Sequence, residues 1–269
     1  MPKSIIANPF RVRRSEEESG RIEAEIPELS PRTCQLALDF FHPMELLFRP
    51  AFSGLEQIPN ERPLMFVGNH QFLSFDTPFL VAQLWRHEIF VRALGDDFLF
   101  SMPGIAQFLS AYGVLPGSPQ LATTLLQRGE SILVYPGGAR EASKNAGHEE
   151  ELDWWDRLGF ARLALRERCT IVPVAATGVD DRIKILLAPE SYLNSSLGQL
   201  IDRMHLRRDM FLPFFVPKGL PQPSFHICPA ISAEPYLYRD PESASRSLRS
   251  DVAEAIENGL VALHSAQNR

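Results

Sequence analysis

Two short stretches of the sequence combine glycines with side chains that could move a proton or hold a negative charge. In the first, FVGNHQFLSFDTPFL at 66–80, Asp76 follows His70 by six positions. On one α-helix that separation would place the two side chains about 240° apart around the axis, so they can meet only if a loop carries them. An imidazole supported by a carboxylate can act as a general base near neutral pH. The structural alternative is that His70 ends a strand and Asp76 caps a helix.

The second stretch is LVYPGGARE, residues 133–141. Gly137 and Gly138 allow close approach to the backbone, and Arg140 and Glu141 follow directly. Backbone N–H groups at such a turn, beside a guanidinium, can hold an anion or a developing oxyanion. A tight turn with a surface ion pair is the structural alternative.

Both stretches follow short apolar runs that resemble buried strands, LMFV at 64–67 and SILVYP at 131–136. Such strands alternate with helical patterns along the chain, which predicts an α/β fold with a largely parallel or mixed central sheet flanked by helices. Ligands bind these sheets outside the carboxyl ends of the strands, where both stretches would lie.

The sequence predicts a loose N-terminal arm at 1–30 and a single domain at 31–269. The remaining predicted elements of this domain follow the same alternation of helices and strands. We expect one or two N-terminal helices within 31–52, helices at 77–87, 100–111, 118–129, 149–168 and 240–264, strands at 89–94, 112–116 and 169–178, a GGAR turn at 137–140, an irregular apolar segment near 183–223, and an edge strand at 224–232.

Composition limits the classes of function. A chain of 269 residues with a net charge of −6 lacks the broad positive field of a nucleic-acid-binding protein. Cys34, Cys169 and Cys228 show no metal or redox spacing, so we expect buried thiols, a reducing compartment and no metal. The N-terminus lacks a signal-peptide core, which predicts a cytoplasmic protein, with peripheral membrane contact as an open alternative.

The motifs GNHQFLSFD and VYPGGARE together resemble motifs one and three of the glycerolipid acyltransferase superfamily, which includes lysophospholipid acyltransferases. The resemblance is narrower to the branch of phytyl ester synthases and diacylglycerol-acyltransferase-like proteins, and it extends from FSGLEQIP at 52–59 to the last strand. It implies an acyltransferase-like fold and O-acyl transfer from acyl-CoA or acyl-ACP to a lipid alcohol, without a cofactor. By the resemblance, His70 is the general base, Asp76 is its partner, and the substrate-binding residues are Asn69, Gly137, Gly138, Arg140 and Glu141.

Two departures narrow the expected acceptor. Five residues separate His70 from Asp76, whereas most of the superfamily has four, and five is typical of the phytyl-ester-synthase-like branch. The third motif of glycerophosphate acylators resembles Pro-Glu-Gly-Thr-Arg, but here it is PGGARE. A neutral lipid alcohol is therefore favoured over a phosphorylated one.

The stretch MFLPFFVP at 210–217 follows a basic cluster and could dip into a membrane interface. The residues expected to contact the membrane are Arg207, Arg208, Phe214 and Phe215. A hydrophobic lid or ordinary core packing is the alternative.

Two other functions stay open at this point. An esterase or thioesterase would use the same His–Asp pair on water, although the sequence lacks the GxSxG nucleophile motif of α/β-hydrolases. A noncatalytic lipid-binding protein would bind lipid without depending on His70.

Overall fold

The computed structural model of the chain describes residue 26 and residues 28–96, 100, 109–110, 112–142, 152–187 and 214–267, without the side chains of 139, 140, 185, 187 and 214. The helices are α1 (Pro31–Phe48), α2 (Thr77–Arg86), α3 (Pro119–Gln127), α4 (Gly138–Ala142), α5 (Gly159–Glu167) and α6 (Pro241–Gln267). The strands are β1 (Ala51–Ser53), β2 (Leu64–Gly68), β3 (Val91–Gly95), β4 (Leu115–Pro116), β5 (Ser131–Val134), β6 (Thr170–Thr177), β7 (Ile183–Leu187), β8 (Phe214–Pro217) and β9 (Ser224–Ile227).

One central sheet organises the described part of the chain, with seven strands in the order β1-β9-β6-β2-β5-β3-β4. Neighbouring strands are parallel except for the antiparallel pair β6 and β9. The predicted α/β fold with a largely parallel or mixed sheet is therefore confirmed.

Both faces of this sheet are covered, as the continuous apolar run of β2 requires. Leu64 and Phe66 face one side and pack in the cluster that contains residues of α1 and α2. Met65 and Val67 face the other side and pack with residues of α3, α5 and α6. All four side chains are fully buried, so β2 lies at the centre of a helix–sheet–helix arrangement.

The strand at 224–227 does not lie at the edge of the sheet, contrary to the sequence-based prediction. β9 lies between β6 and β1, and β1 forms the edge beside it. The prediction was wrong because β1 has only three residues, Ala51–Ser53, and such a short strand shows no alternation of apolar and polar side chains. The Phe52 ring of β1 stacks on the Phe225 ring of β9 with a centroid distance of 4.8 Å.

Two further boundaries differ from the expected ones. The helix predicted at 149–168 begins only at Gly159, because Trp154 turns into the core, where it is fully buried, and Trp155 has a positive φ of 44°. The predicted GGAR turn continues directly into a short helix, since Gly138 is already the first residue of α4.

The segment at 183–223 is more regular than the sequence indicates. β7 and β8 pair antiparallel as a separate two-stranded sheet, called here the hairpin, while 188–213 lies outside the described residues. The two ends of this segment meet where the Gln222 N–H donates to the Gly178 carbonyl. A Cβ on Gly178, whose φ is +91°, would lie 2.0 Å from the Gln222 carbonyl oxygen, so only glycine fits this crossing.

The N-terminal region forms one helix, α1, which runs through Pro43. The Ser30 side chain caps it by accepting from the Thr33 N–H. Within the predicted arm at 1–30, Leu29 packs against the core, whereas residues 1–25 and 27 lie outside the described residues. Most of the helix predicted at 100–111 lies outside them as well. Across the described ranges, no helix combines the length and apolarity needed to cross a bilayer.

Candidate active site

The two chemistry-bearing stretches meet at one edge of the sheet. β2 and β5 are parallel neighbours, with Val67 paired to Val134, so the chain leaves both strands on the same side. The segment after β2 carries His70 and Asp76, and the segment after β5 carries Tyr135 and the Gly-Gly turn. Their convergence follows from the parallel pairing, as the sequence pattern predicted.

His70 is held on several sides. Its imidazole stacks on the Tyr135 ring, with a centroid distance of 4.3 Å and an interplanar angle of 21°. Its backbone N–H donates to Oε2 of Glu141 at 3.2 Å. The Ser74 hydroxyl lies 3.3 Å from Nε2 and 3.4 Å from Nδ1. The residue is 8% exposed, so these contacts fix a histidine that is largely buried.

Asp76 lies at the start of α2, where a helix cap would be expected, but its side chain makes no capping hydrogen bond. Its carboxylate is fully buried and acts electrostatically on Tyr135. Burial and then the charge of Asp76 hold the pKa of the Tyr135 phenol well above its usual range. The hydrogen bond with Thr77 lowers this pKa, and the charge of Glu141 makes the smallest contribution, which raises it. His70 and Asp76 therefore act on the same aromatic side chain, one by stacking and one by charge.

The loop from His70 to Asp76, called here the catalytic loop because it carries both candidate residues, turns back through unusual backbone. Leu73 and Ser74 have φ values of 52° and 56°, in the left-handed region. Consecutive non-glycine residues there cost of the order of 1–3 kcal/mol each and persist only where surrounding contacts hold them. This is how the chain accommodates five residues between His70 and Asp76.

Buried amides anchor this loop to β6. The Asn69 side chain donates to the Ala176 carbonyl and accepts from the Ala176 N–H, both at 2.8 Å. The Gln71 side chain donates to the same carbonyl at 2.9 Å. The Phe72 N–H donates to Oδ1 of Asp180 at 2.6 Å. The buried Asn69 amide thus positions the loop through the backbone, and its predicted contact with substrate stays a prediction.

The Gly-Gly turn is shaped around Glu141. A Cβ on Gly137 would lie 2.4 Å from both Cβ and Oε2 of Glu141. Gly138 has a φ of +58°, and its N–H donates to the Tyr135 carbonyl, so this N–H is not directed at an oxyanion. These contacts give both glycines a part in building the turn, and their contact with substrate stays a prediction.

Glu141 connects the two loops. Its carboxylate is buried and accepts from the backbone N–H groups of His70 and, at 3.4 Å, of Asp153. Its predicted contact with substrate stays a prediction. The predicted role of Arg140 stays a prediction, because its side chain lies outside the described part of the chain.

Sequence reasoning missed four contributors to this site. They are Tyr135, Ser74, Asp180 and Arg157, whose guanidinium donates to the carbonyls of Pro136 and Gly137 at 2.9 and 2.8 Å. Only Tyr135 carried a visible signal, since it stands between an apolar strand and the Gly-Gly turn. The partners of Asp180 and Arg157 are distant in sequence, so no local sequence pattern could predict these contacts.

Comparisons with known proteins agree with this geometry. A family profile described as Acyltransferase matches residues 49–177, which include both loops and strands β1 to β6. Phytyl ester synthase 2, chloroplastic, of Arabidopsis thaliana is 33% identical over 143 residues, and the DGAT1/2-independent enzyme synthesizing storage lipids of Bos taurus is 27% identical over 134 residues. Residues 49–177 of the chain therefore match the acyltransferase family.

The coverage of these similarities is uneven. The two matches cover 50% and 49% of this chain but only 20% and 40% of the relatives, so the chain spans less than half the length of either. The crystal structure of the 1-acyl-sn-glycerophosphate acyltransferase PlsC from Thermotoga maritima shares the fold, with a TM-score of 0.55 over 92% of this chain and 89% of that one. Its sequence identity is 16%. The resemblance to the phytyl ester synthase branch is thus confirmed in sequence, and the fold in structure.

An apolar pocket lies beside the site, between α1, α2 and a third wall formed by Leu109, Tyr112 and Val114. Its empty space is about 510 Å³, part of which is open to solvent. Thr77 lies on its wall, directly after Asp76, and the Thr77 hydroxyl donates to the Tyr135 phenol oxygen at 3.0 Å. The lining residues are Ala37, Leu38, Phe41, Thr77, Pro78, Val81, Ala82, Trp85, Leu109, Tyr112 and Val114.

The hairpin contacts the catalytic loop through one pair of aromatic rings. Phe215 packs edge-on against Phe72, with ring centroids 4.8 Å apart, and is 41% exposed. Of the residues expected to contact a membrane, Phe215 is therefore partly exposed next to the site. The side chain of Phe214 and all of Arg207 and Arg208 lie outside the described residues.

Proposed function

We propose that this protein transfers a fatty acyl group from a thioester donor, acyl-CoA or acyl-ACP, to the hydroxyl of a neutral lipid alcohol, with His70 as general base and Asp76 as its supporting carboxylate. The observation that carries the proposal is the convergence of both residues on Tyr135 at the carboxyl edge of the sheet. The match of residues 49–177 to the acyltransferase family supports the reaction class.

The chemistry needs a base because an alcohol is a weak nucleophile at neutral pH. In the proposed step, His70 takes the hydroxyl proton while the alcohol oxygen attacks the thioester carbonyl. Collapse of the tetrahedral intermediate expels the thiolate, which receives the proton from His70 and leaves as the thiol. General base catalysis of this kind contributes about 100- to 10,000-fold.

The cysteines offer no competing nucleophile within the described residues. Cys34, Cys169 and Cys228 are all free and buried, as the sequence predicted. Burial raises the pKa of the Cys169 thiol to about 12 and that of Cys228 to about 11, so both stay protonated at neutral pH. This supports direct transfer with an imidazole base.

Charge around the site supports a neutral acceptor. Three carboxylates, those of Asp76, Glu141 and Asp180, are buried around the catalytic loop. A phosphate with one or two negative charges would be repelled by them in a low-dielectric site. Among the described side chains, the cation on the neighbouring turn is Arg157, and its guanidinium already binds two backbone carbonyls.

The apolar pocket supports a long acyl chain on the donor. Its wall begins at Thr77, next to the catalytic carboxylate, and continues between α1 and α2 through aliphatic and aromatic side chains. We propose that an acyl chain bound there ends near Thr77, whose hydroxyl binds the tyrosine that stacks on His70. Burial of each methylene group contributes about 0.8 kcal/mol, so the pocket can select for chain length.

Exposed apolar side chains support contact with a lipid surface. Those of α1 are Leu36, Phe40, Leu46 and Leu47, and those of the hairpin segment are Leu186, Phe215, Val216 and Leu220. Lys184 and Lys218 accompany the hairpin residues and could meet anionic headgroups. We propose peripheral association with a membrane, from which the acceptor lipid reaches His70.

The decisive experiment incubates the purified protein with labelled palmitoyl-CoA or palmitoyl-ACP and a panel of lipid alcohols, and identifies the ester by mass spectrometry. We expect ester formation by the wild type, a loss of at least about 1,000-fold in His70→Ala and of about 100- to 10,000-fold in Asp76→Asn, which favours the wrong imidazole tautomer. His42→Ala, which changes an exposed histidine on α1, serves as the matched control and should keep full activity.

Other outcomes distinguish the alternative functions. Normal transfer by a well-folded His70→Ala protein would contradict the proposal. Release of free acid that does not depend on added alcohol would indicate a hydrolase. Bound lipid without any turnover, in wild type and variants alike, would indicate a lipid-binding protein.

A further inference from the structure

Tyr135 is the side chain that joins the candidate base, its carboxylate and the pocket. We propose that it is a positioning residue, a platform that fixes the plane of the His70 imidazole and stabilises the imidazolium formed when His70 takes the acceptor's proton. The inference deepens the proposed function and rests on it for the role of His70. Neither the sequence motifs nor the similarity to known proteins assigned Tyr135 a role.

The stack defines the orientation of the base. Rotation about the last torsion of a histidine side chain is broad in energy, so the backbone alone does not fix the ring plane. A centroid distance of 4.3 Å and an angle of 21° place the Tyr135 ring nearly parallel to the imidazole. Turning the imidazole out of this plane would break the contact. The stack therefore fixes the plane in which the two ring nitrogens lie.

The platform is itself fixed at its far end and along its edge. The Thr77 hydroxyl donates to the phenol oxygen at 3.0 Å, which ties the ring to the first turn of α2. A Cβ on Gly68 would lie 3.0 Å from Cε1 of Tyr135, so the glycine at the end of β2 leaves room for the ring. A larger residue in place of Gly68 would press on the Tyr135 ring.

Charges around the stack favour a cation on His70. The described groups that face the catalytic loop are the carboxylates of Asp76 from α2, Glu141 from α4 and Asp180 from the turn after β6, together with the phenol. Burial and these charges keep the Tyr135 phenol neutral. A neutral aromatic face attracts an imidazolium more strongly than a neutral imidazole, as in other cation–π contacts.

The test compares Tyr135→Leu, which removes the stack, with Tyr135→Phe, which keeps the ring and removes only the hydroxyl. Tyr238→Leu changes an exposed tyrosine, 83% accessible, and is the matched control. The readouts are the pH profile of kcat/KM with palmitoyl-CoA and a lipid alcohol, the separate values of kcat and KM, and the NMR titration of the His70 imidazole, assigned with His70→Ala.

We expect the His70 ring protons to show an upfield ring-current shift in the wild type and Tyr135→Phe, and to lose it in Tyr135→Leu. In Tyr135→Leu, kcat should fall by about 10- to 100-fold with little change in the donor KM, because a misplaced base costs turnover rather than binding. Loss of cation–π stabilisation lowers the pKa of the imidazolium, so the acid limb of the profile should move to lower pH by about half a unit.

Three results would overturn the inference. One is a kcat in Tyr135→Leu within about twofold of wild type. Another is an unchanged pH profile and NMR titration in that variant. The third, which applies even if Tyr135→Leu does not fold, is a loss in Tyr135→Phe as large as in His70→Ala. Absence of acyl transfer by the wild type would contradict the proposed function. The stacking could still be tested in that case, because the NMR titration needs no substrate.

Discussion

Gly137 and Glu141 depend on each other at the scale of single residues. They stand one helical turn apart, and the carboxylate of Glu141 fills the volume that a side chain on Gly137 would need. From that position it binds the backbone of His70. The glycerophosphate-acylator motif has an acid directly after proline, where this chain has Gly137. Here the carboxylate comes from Glu141, four residues after Gly137, and it occupies the space beside that glycine.

A methyl group at Gly137 should break this arrangement. In Gly137→Ala, contacts of 2.4 Å force Glu141 away from the His70 N–H. We expect a loss of about 1–3 kcal/mol in the free energy of unfolding, measured with urea, and at least about a tenfold loss of kcat. Gly159→Ala is the control, because no atom lies within 4 Å of a Cβ there and φ is not positive. Equal stability and activity of the two variants would show that Glu141 has another place to go.

At the scale of secondary-structure elements, α1 and α2 together line the apolar pocket. Helix α2 contributes both the catalytic end, through Asp76 and Thr77, and the pocket wall farther along. One rigid element thus connects the position of the carboxylate to the position of the proposed acyl chain. A change in the wall should alter chain-length preference while the chemistry is retained.

Val81→Phe tests this connection by filling the pocket from the α2 side. We expect at least a tenfold loss of kcat/KM with palmitoyl-CoA and little change with butyryl-CoA, because one or a few methylenes displaced from an apolar pocket cost about 1–3 kcal/mol. Val261→Phe, at a valine 65% exposed on α6, is the control. A uniform loss with both donors would mean that the pocket does not hold the acyl chain.

The hairpin permits a test of membrane contact that leaves the catalytic loop unchanged. Phe215 is unsuitable because it packs on Phe72, but Leu186 and Val216 are exposed and their removal should not disturb His70. In the double variant Leu186→Ser/Val216→Ser, we expect flotation with phosphatidylglycerol vesicles and activity on vesicle lipids to fall by about tenfold.

Activity of this double variant on a detergent-dispersed acceptor should equal that of the wild type, since the defect lies in membrane encounter. Val261→Ser provides an exposed apolar control distant from the hairpin. Undiminished flotation of the double variant would assign the membrane contact to α1 or to a segment outside the described residues. Equal losses on vesicles and in detergent would instead indicate damage to the site.

At the scale of the whole molecule, much of the fold follows from sequence pattern. The apolar runs of β2, β5 and β6 are long enough to be recognised, and their parallel pairing brings His70 and the Gly-Gly turn to one edge. The errors occur where tertiary contacts override local pattern. Trp154 leaves a helical pattern to enter the core, and three residues at 51–53 become a strand only because β9 lies beside them.

The finer structure of the site could not be predicted from sequence, because its partners are far apart along the chain. The Phe72 N–H binds an aspartate 108 residues later, and Asn69 binds a backbone unit 107 residues later. No local spacing reveals such pairs. The candidate base and carboxylate could be named in advance, whereas the residues that hold them became visible only once the strands were assembled.

The crossing at Gly178 and Gln222 has an evolutionary consequence. Since the chain enters and leaves the hairpin segment at adjacent points, a change in its length between β7 and β8 need not displace β6 or β9. Relatives could vary this stretch, and so acquire a different lipid partner, while inheriting both the strands that carry the histidine and the Asp180 carboxylate that binds its loop.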